Sequence, residues 1–297
     1  MILRCIKVNL HKILTGYGFY FCILFTVVLC FSARLYTDFM DGKEYSIFMA
    51  LLSFDRQYML SNTDFCSFEV LRKGMGSWLS MFLPLVSAFS FLPIVCDEYE
   101  TKYVRFEVFR ASRFGHRMAT FLTACISGGL AVMLGFGLFA GMEYTLFPDI
   151  SVYDEGMRSM YGQMMLNWYP NLAVTGYLGE ILKKLGCMFL YGAVWAAPAA
   201  MLTGFVRNKY LVICIPFFLK YALNQTCSML QAHTFSENPV INQQVNRAVN
   251  ILNPDSLPHL FDFREMKMTV LVYNGGFLFF FGILYLILCS RRVDCGD

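Results

Sequence analysis

The sequence predicts an all-α integral membrane protein: a single domain built as a six-transmembrane-helix bundle, preceded by an N-terminal amphipathic interface helix. Three observations predict it, namely the apolar composition, the length of the uncharged runs and the placement of the basic residues. Of the 297 residues, 57% are apolar and 15% are charged, whereas about a quarter of a soluble domain is charged. A soluble protein of this composition would expose large apolar patches, and a lipid solvent removes that difficulty.

Six segments are long enough to cross a bilayer, which takes roughly 20 mostly apolar residues. Five of them carry no charged side chain, and one is interrupted by Lys220. Helices are expected because lipid offers no partner to backbone polar groups and because the alternating pattern of a membrane barrel is absent. The predicted spans, within one domain covering residues 1–297, are 13–33, 74–96, 118–142, 185–206, 210–230 and 268–290.

The first span is expected to be a retained helix rather than a cleaved signal peptide. Cleavage after Ala33 would place the bulky Phe31 where a small residue is required, and the apolar run is long for a signal. The segment before this span has an apolar helical face opposite a basic face formed by Arg4, Lys7 and His11. That segment is either a helix at the inner interface or an ordinary basic flank.

The basic residues in the loops predict that both chain ends lie in the cytoplasm. The two ends and the loops after the second and fourth spans carry 12 Lys and Arg in about 45 residues. The other segments, roughly 34–73, 143–184 and 231–267, carry about 11 in nearly 120 residues. Cytoplasmic loops are the ones enriched in Lys and Arg. Lys183 and Lys184 lie on the other side in this scheme, so the start of the fourth span fits the pattern least well.

Several kinds of chemistry are missing from the sequence. It contains no GxxxxGK[ST] phosphate loop, no Gly-rich Rossmann turn and no HExxH pair, and its four histidines are scattered. We therefore predict no catalytic residue, no metal site and no cofactor in this chain. The small net charge of +3 argues against nucleic acid as a partner. The 11 cysteines form no CxxC pair, and a disulfide between Cys66 and Cys227 near the outer face stays open.

One charged side chain falls inside a predicted span. Lys220 lies near the middle of the fifth span, Asn224 follows four residues on along the same helical face, and Gln225 lies beside it. Charges within membrane spans usually face a bundle interior or a wet cavity. Lys220, Asn224 and Gln225 therefore line a translocation pathway, or else the span begins late and Lys220 snorkels to an interface.

The loop after the second span carries the most informative pattern. The acid-rich run 97–100 leads it, and if the loop is helical, Arg110, Arg113 and Arg117 share one face, with phenylalanines interleaved. A positive-inside anchor accounts for the arginines. Docking onto a protein surface accounts in addition for the acidic and aromatic residues.

This loop resembles that of the ABC-2 type ABC transporter permease family. Members of that family end the second span in a Glu-Tyr-Glu-like stretch and continue into a short coupling helix with a Ser-Arg pair. Asp97-Glu98-Tyr99-Glu100 resembles the first element and Ser112-Arg113 the second. The chain differs from the family at Ala111, where proline is frequent, and at Thr101-Lys102, where Gly-Thr is frequent.

The resemblance implies the membrane-spanning permease subunit of an ATP-driven exporter whose ATP is hydrolysed by a separate ABC ATPase subunit. It also implies a bacterial plasma membrane and a dimer with a second copy or a sister permease. The residues it places at the ATPase-coupling interface are Glu98, Arg105, Arg110, Ser112, Arg113 and Arg117. The alternative is a multi-pass membrane protein that binds without transporting, such as an immunity or assembly factor.

Overall fold

The fold is described by a computed structural model for residues 2–38, 42–101, 112–168, 172–204, 206, 208–233, 239–260 and 266–292. Within these residues the chain is predominantly helical. Five helical segments are long and apolar enough to cross a membrane, and a bent helix pair makes a sixth if it counts as one span. The chain is thus a helical membrane protein, as predicted. The five segments are Trp78–Glu98, Arg113–Val152, Leu178–Thr203, Lys209–Ala232 and Lys267–Cys289.

The helices and strands of the described residues are α1 (Ile2–Leu14), α2 (Tyr17–Phe31), β1 (Arg34–Thr37), β2 (Glu44–Ser46), α3 (Ile47–Ser53), α4 (Arg56–Ser61), α5 (Ser67–Gly74), α6 (Ser77–Phe89), α7 (Leu92–Glu100), α8 (Arg113–Leu146), α9 (Glu155–Trp168), α10 (Leu172–Thr203), α11 (Lys209–His233), α12 (Pro239–Leu252) and α13 (Lys267–Arg292). Short 3-10 turns lie at Thr63–Phe65, Ile150–Val152 and Pro254–His259. The two strands, which pair with each other, depart from the all-α prediction.

The bent pair consists of α1 and α2, which meet at 63°. At the break, the Thr15 hydroxyl donates to the backbone carbonyl oxygens of His11 and Lys12 at 2.9 and 3.1 Å. The Lys12 carbonyl loses its usual backbone donor here, because the N–H of Gly16 donates to Ile13 instead, and the Thr15 hydroxyl takes the place of that donor. A Cβ at Gly16 would lie 2.9 Å from Cδ1 of Ile94, so the corner packs closely against α7. With 15 residues, α2 alone is about 22 Å long, shorter than a hydrocarbon core of about 30 Å.

The span over residues 78–98 is interrupted between α6 and α7. Proline lacks an N–H, and its ring clashes with the carbonyl group four residues back. For Pro93 that carbonyl belongs to Phe89, the residue at which α6 ends. The Ser90 hydroxyl donates to the carbonyl oxygen of Ser87 at 2.8 Å, which gives a partner to a carbonyl beside the break. The N–H of Phe91 donates to Ala88 rather than to Ser87, so the Ser90 hydroxyl replaces the backbone donor that the Ser87 carbonyl loses at the break.

The fourth span begins earlier than the predicted range. Its helix, α10, starts at Leu172, and its apolar part starts at Leu178 rather than at residue 185. It therefore contains the two basic residues that fitted the orientation pattern least well. Lys184 is buried, and Lys183 donates to Glu180 at 2.7 Å. Both lysines therefore lie on α10 and not in the loop before it.

The chain divides into two compact units. The first comprises Met1–Cys22, Phe82–Val132 and Cys187–Asp297, and the second comprises Ile23–Met81 and Met133–Gly186. In the first unit, α8 and α10 pack through glycines. A Cβ at Gly192 would lie 2.7 Å from the carbonyl oxygen of Gly128 and 3.0 Å from Cα of Gly129. Small residues at such a crossing let two helix backbones touch.

The second unit contains a folded cap of strands and short helices between α2 and α6. β1 and β2 pair antiparallel, with Thr37 opposite Glu44, and Gly42 in their connection has a φ of 65°, which favours glycine. Five aromatic rings cluster beside the strands, with centroids of neighbouring rings between 4.7 and 6.4 Å apart. These rings belong to Tyr36, Tyr45, Phe54, Tyr58 and Phe65. Pairs at these separations add to the stability that burial alone provides.

A buried carboxylate, Glu69 on α5, connects this cap to α9. Arg72 donates to both carboxylate oxygens, with 2.9 Å between Nε and Oε2, and the Tyr161 hydroxyl donates to Oε2 at 3.3 Å. Lys73 Nζ lies 3.5 Å from Oε1. Burial by itself would raise the pKa of Glu69. The Arg72 hydrogen bonds and the two cations outweigh burial and hold this pKa below its ordinary value of 4.5.

The two cysteines considered for a disulfide are both free thiols. Cys66 lies in the second unit, where burial raises its pKa to about 11. A thiol with so high a pKa is almost entirely protonated at neutral pH and is therefore a poor nucleophile.

The glycine contact between α8 and α10 predicts a position-specific effect on stability. Replacing Gly192 by valine forces the two backbones apart, and overpacking of this kind typically costs about 1–3 kcal/mol. Gly186→Val on the same helix is the matched control, since a Cβ there meets nothing within 4 Å. We expect Gly192→Val to lower the melting temperature of the purified protein well below that of Gly186→Val. Equal melting temperatures would contradict the close contact.

The network around Glu69 predicts a dependence of stability on pH. Because the folded pKa is lowered, the carboxylate stabilises the fold at pH above about 4.5 and loses this effect as the pH falls through the folded value. The melting temperature of Glu69→Gln should therefore be below that of the unsubstituted protein at about pH 6, and this difference in melting temperature should become smaller toward about pH 3. Glu44→Gln, which removes an exposed carboxylate of the same unit, is the control. A gap that stays constant over this range would show that Glu69 acts by packing alone.

Candidate functional site

The candidate functional site is a buried ion pair in the first unit, between Lys220 on α11 and Asp255 in the 3-10 turn Pro254–His259. Lys220 Nζ lies 2.5 Å from Oδ1 of Asp255, and the two side chains are 2% and 22% exposed. Removing an ammonium group from water costs several kcal/mol unless a partner compensates the charge. The carboxylate of Asp255 is that partner.

The turn that carries Asp255 is fixed by its own sequence. The side-chain oxygen of Asn253 accepts the backbone N–H of Asp255 at 3.0 Å, an N-cap of the 3-10 turn. On α11, Asn224 lies one turn after Lys220 and therefore on the same face. Its Nδ2 donates to Oδ2 of Asp255 at 3.1 Å. The helical spacing thus directs two side chains of α11 to one carboxylate.

A third donor to the same carboxylate comes from α10. The Tyr191 hydroxyl donates to Oδ1 of Asp255 and accepts a hydrogen bond from Lys220 Nζ at 2.5 Å. Lys220 Nζ also lies 4.9 Å from the ring centroid of Tyr191 and 5.3 Å from that of Trp195, one helical turn further along α10. Aromatic faces at these distances attract a cation. The ammonium is therefore held by one carboxylate, one hydroxyl and two rings inside the protein.

Three polar atoms, two on residues of this site and one on Ser256, which follows Asp255 in the chain, are buried without a hydrogen-bond partner among the residues that the structure describes. They are Nε1 of Trp195, Oδ1 of Asn224 and Oγ of Ser256. Most buried polar groups in proteins are hydrogen-bonded, because a bare one costs about 1–3 kcal/mol. The site therefore has more hydrogen-bonding capacity than its own side chains use.

Two of the three residues expected along a pathway meet at this site. Lys220 and Asn224 both bind Asp255, whereas the side chain of Gln225 is exposed on another face of α11. Lys220 itself is buried, and its charge is compensated by Asp255.

A second group of charges lies at the end of α7, also in the first unit. Lys209 of α11 donates to Asp97 at 2.7 Å, and Lys12 of α1 donates to Glu98 at 2.8 Å. Beside the second pair lies a cavity of about 10 Å³, about the size of one water molecule. It is lined by Asn9, Lys12, Ile13, Ile94, Val95, Glu98, Thr120 and Thr123. The acid-rich run therefore joins the ends of α1, α7 and α11.

The other residues of the expected coupling interface lie at or before the start of α8. The Ser112 hydroxyl accepts the backbone N–H of Gly115 at 3.1 Å, so Ser112 caps this helix. Arg113 is exposed and Arg117 is half-buried. Arg105 and Arg110 lie outside the described residues. Among the described residues, no group of three or more His, Cys, Asp or Glu side chains could hold a metal ion.

The sequence did not reveal Asp255, Tyr191 or Trp195 as members of the site. A buried lysine calls for a carboxylate nearby, and the segment after α11 offers several acidic residues, so the class of partner was predictable. The choice of Asp255 was not, since it depends on how the chain returns after α12. Tyr191 and Trp195 sit in an apolar helix, where aromatic residues are common.

Comparison with known proteins adds no identification. The chain matches no family model, and no curated protein is significantly similar to it.

The buried ion pair predicts strong coupling between its two residues. Lys220→Met or Asp255→Leu alone leaves a buried charge without its partner, which costs about 3–5 kcal/mol, whereas replacing both by apolar residues is often close to neutral. We expect each single variant to unfold at clearly lower temperature or denaturant concentration than the double variant. Additive losses would show that the two side chains do not act as a pair.

Proposed function

We propose that this chain is the permease subunit of an ATP-driven ABC exporter of the ABC-2 class, hydrolysing no ATP itself and binding a separate ATPase. The observation that carries the proposal is the acid-rich end of α7. It leads directly into the basic segment 102–117, and its carboxylates are paired with Lys209 and Lys12 on two other helices. A partner that moves this segment therefore acts on three helices at once.

The proposed coupling works through α7 and α11. ATP binding draws the docking segment toward the ATPase, and the segment moves α7, which the break before Pro93 frees from α6. α11 packs against α7 and is also linked to it by the Lys209–Asp97 pair. α11 carries Lys220, so the motion reaches the buried ion pair. In this scheme Lys220 and Asn224 lie on the translocation pathway.

The proposed setting is a bacterial plasma membrane with both chain ends in the cytoplasm. The loop charges support this orientation, because the dense basic segments alternate with the sparse ones. α2 belongs to the first of six spans, and α1 lies before it at the inner interface. The assembly contains a second permease, identical or related, and two ATPase subunits.

A second candidate function is binding without transport, as in an immunity or assembly factor. The cap in the second unit favours it, since it holds an open groove of about 310 Å³. The groove is lined by Arg34, Leu35, Tyr36, Thr37, Asp64 and Lys73. A folded cap with charged and aromatic lining suits recognition of another molecule.

Affinity purification distinguishes the two functions. The tagged full chain is isolated from its native membranes in a mild detergent, and its partners are identified by mass spectrometry. We expect a nucleotide-binding subunit in stoichiometric amount. The subunit should be lost when Glu98→Lys is combined with Arg113→Glu, since both lie at the proposed docking surface.

The control carries charge reversals of matched size in the cap, Arg34→Glu with Glu44→Lys, an exposed pair of the second unit. It should retain the ATPase. Arg113→Glu alone should insert normally and yet abolish transport. Recovery of the chain alone, under conditions that preserve an established transporter complex, would overturn the proposal in favour of the binding function.

A further inference from the structure

We propose that the groups around Asp255 form a binding site for the carboxylate of a ligand, which takes the place of the Asp255 carboxylate. The inference deepens the proposed function, on which it rests for the claim that this ligand is the transported cargo. The binding itself concerns the isolated chain and is testable without the ATPase.

The donors of the site already show carboxylate recognition. One oxygen of Asp255 accepts from the Lys220 ammonium and the Tyr191 hydroxyl, and the other accepts from the Asn224 amide. Charge-assisted hydrogen bonds of this kind are stronger than neutral ones and are directed at both oxygens of a carboxylate. The three donors come from α10 and α11, whereas Asp255 comes from a short turn. The three donors are thus on long helices, and the carboxylate that they bind is on a short 3-10 turn.

Three buried atoms that have no partner among the described residues give an independent indication of a ligand. Nε1 of Trp195 is a donor, Oδ1 of Asn224 is an acceptor and the hydroxyl of Ser256 is both. Trp195 is fully buried and Ser256 is nearly so. Asp255 cannot satisfy all three, because an ionised carboxylate only accepts hydrogen bonds and Oδ1 of Asn224 needs a donor. A ligand with a carboxylate and a neighbouring hydroxyl or amide would use these atoms.

The exposure of the ion pair indicates the direction of entry. The Asp255 side chain is 22% exposed, whereas that of Lys220 is 2% exposed. An arriving anion therefore meets Asp255 first and reaches Lys220 only after that carboxylate has moved aside. Displacement conserves the buried charge balance, since one carboxylate leaves the ammonium as another arrives.

Emptying the site provides the first test. Asp255→Ala removes the carboxylate and leaves the three donors, so we expect the purified full chain to melt about 5–10 °C lower. Acetate is the probe, added to about 100 mM because a small anion held by a few hydrogen bonds binds in the millimolar range. Acetate should recover most of the lost melting temperature, and chloride at equal ionic strength should recover little. The control, Asp255→Ala with Lys220→Met, should not respond to acetate.

A second measurement leaves the ion pair intact, in case Asp255→Ala fails to fold. The chain has three tryptophans, and Trp78→Phe with Trp168→Phe makes Trp195 the only one. Acetate should shift the emission of Trp195 in a saturable way that chloride does not reproduce. Lys220→Met in this background should raise the half-saturating concentration about tenfold or more, because a charged hydrogen bond is lost.

The source of the carboxylate is decided in lipid nanodiscs. If acetate shifts the Trp195 emission in discs of phosphatidylcholine, the ligand is a solute. If the emission shifts only when phosphatidylserine is added to the discs, the ligand is a lipid headgroup. Absence of any specific response in both measurements overturns the inference. If the chain recovers an ATPase but shows no response to acetate, this site is refuted and the exporter proposal stands. If it responds to acetate but recovers no ATPase, the exporter proposal is refuted and the site stands.

Discussion

The constraint on which this structure depends is that every charge and every backbone polar group inside an apolar segment needs a partner within the protein. Lys220 shows the constraint most clearly, because an ammonium that is 2% exposed requires the return of the chain to deliver Asp255. The turn after α12 must therefore lie beside Lys220, and α10 must turn the face with Tyr191 toward the same ammonium group. The same reasoning applies in the second unit to Lys183, which bonds Glu180 within one helix. An ion pair within a helix needs no help from the rest of the chain, whereas the Lys220 pair ties three elements together.

Interruptions of the spans obey the same rule. A helix break in lipid is tolerated where side chains take over the freed backbone groups. Thr15 does so at the corner between α1 and α2, and Ser90 does so between α6 and α7. Both breaks thus depend on residues at the break itself, a Thr-Gly pair in one case and a proline in the other. They also border the ion pairs of Glu98 and Asp97, so the breaks and the charges lie in the same unit.

The sequence predicted what depends on composition and helical spacing. The helical membrane character follows from long apolar runs, and the shared face of Lys220 and Asn224 follows from their spacing of four. The cap in the second unit was not predicted, because its strands and short helices are stabilised by contacts between distant segments, such as the bond from Tyr161 to Glu69. Asp255 escaped prediction for the same reason. Periodicity describes one helix at a time and carries no information on which segment returns to it.

The two ion pairs of α11 differ in strength, and the difference bears on how this helix can move. Lys209 and Lys220 are separated by about 16 Å along the helix axis, with Pro216 between them. The Lys209–Asp97 pair is 36% and 63% exposed, and exposed pairs contribute about 0–1 kcal/mol, so it can exchange partners at little cost. The Lys220–Asp255 pair is buried, and breaking it without replacement costs several times more. A partner at the Asp97 end therefore meets a weak attachment, whereas release at the Asp255 end requires another anion. Proline removes one backbone hydrogen bond between the two ends, which gives α11 a point where they can move separately.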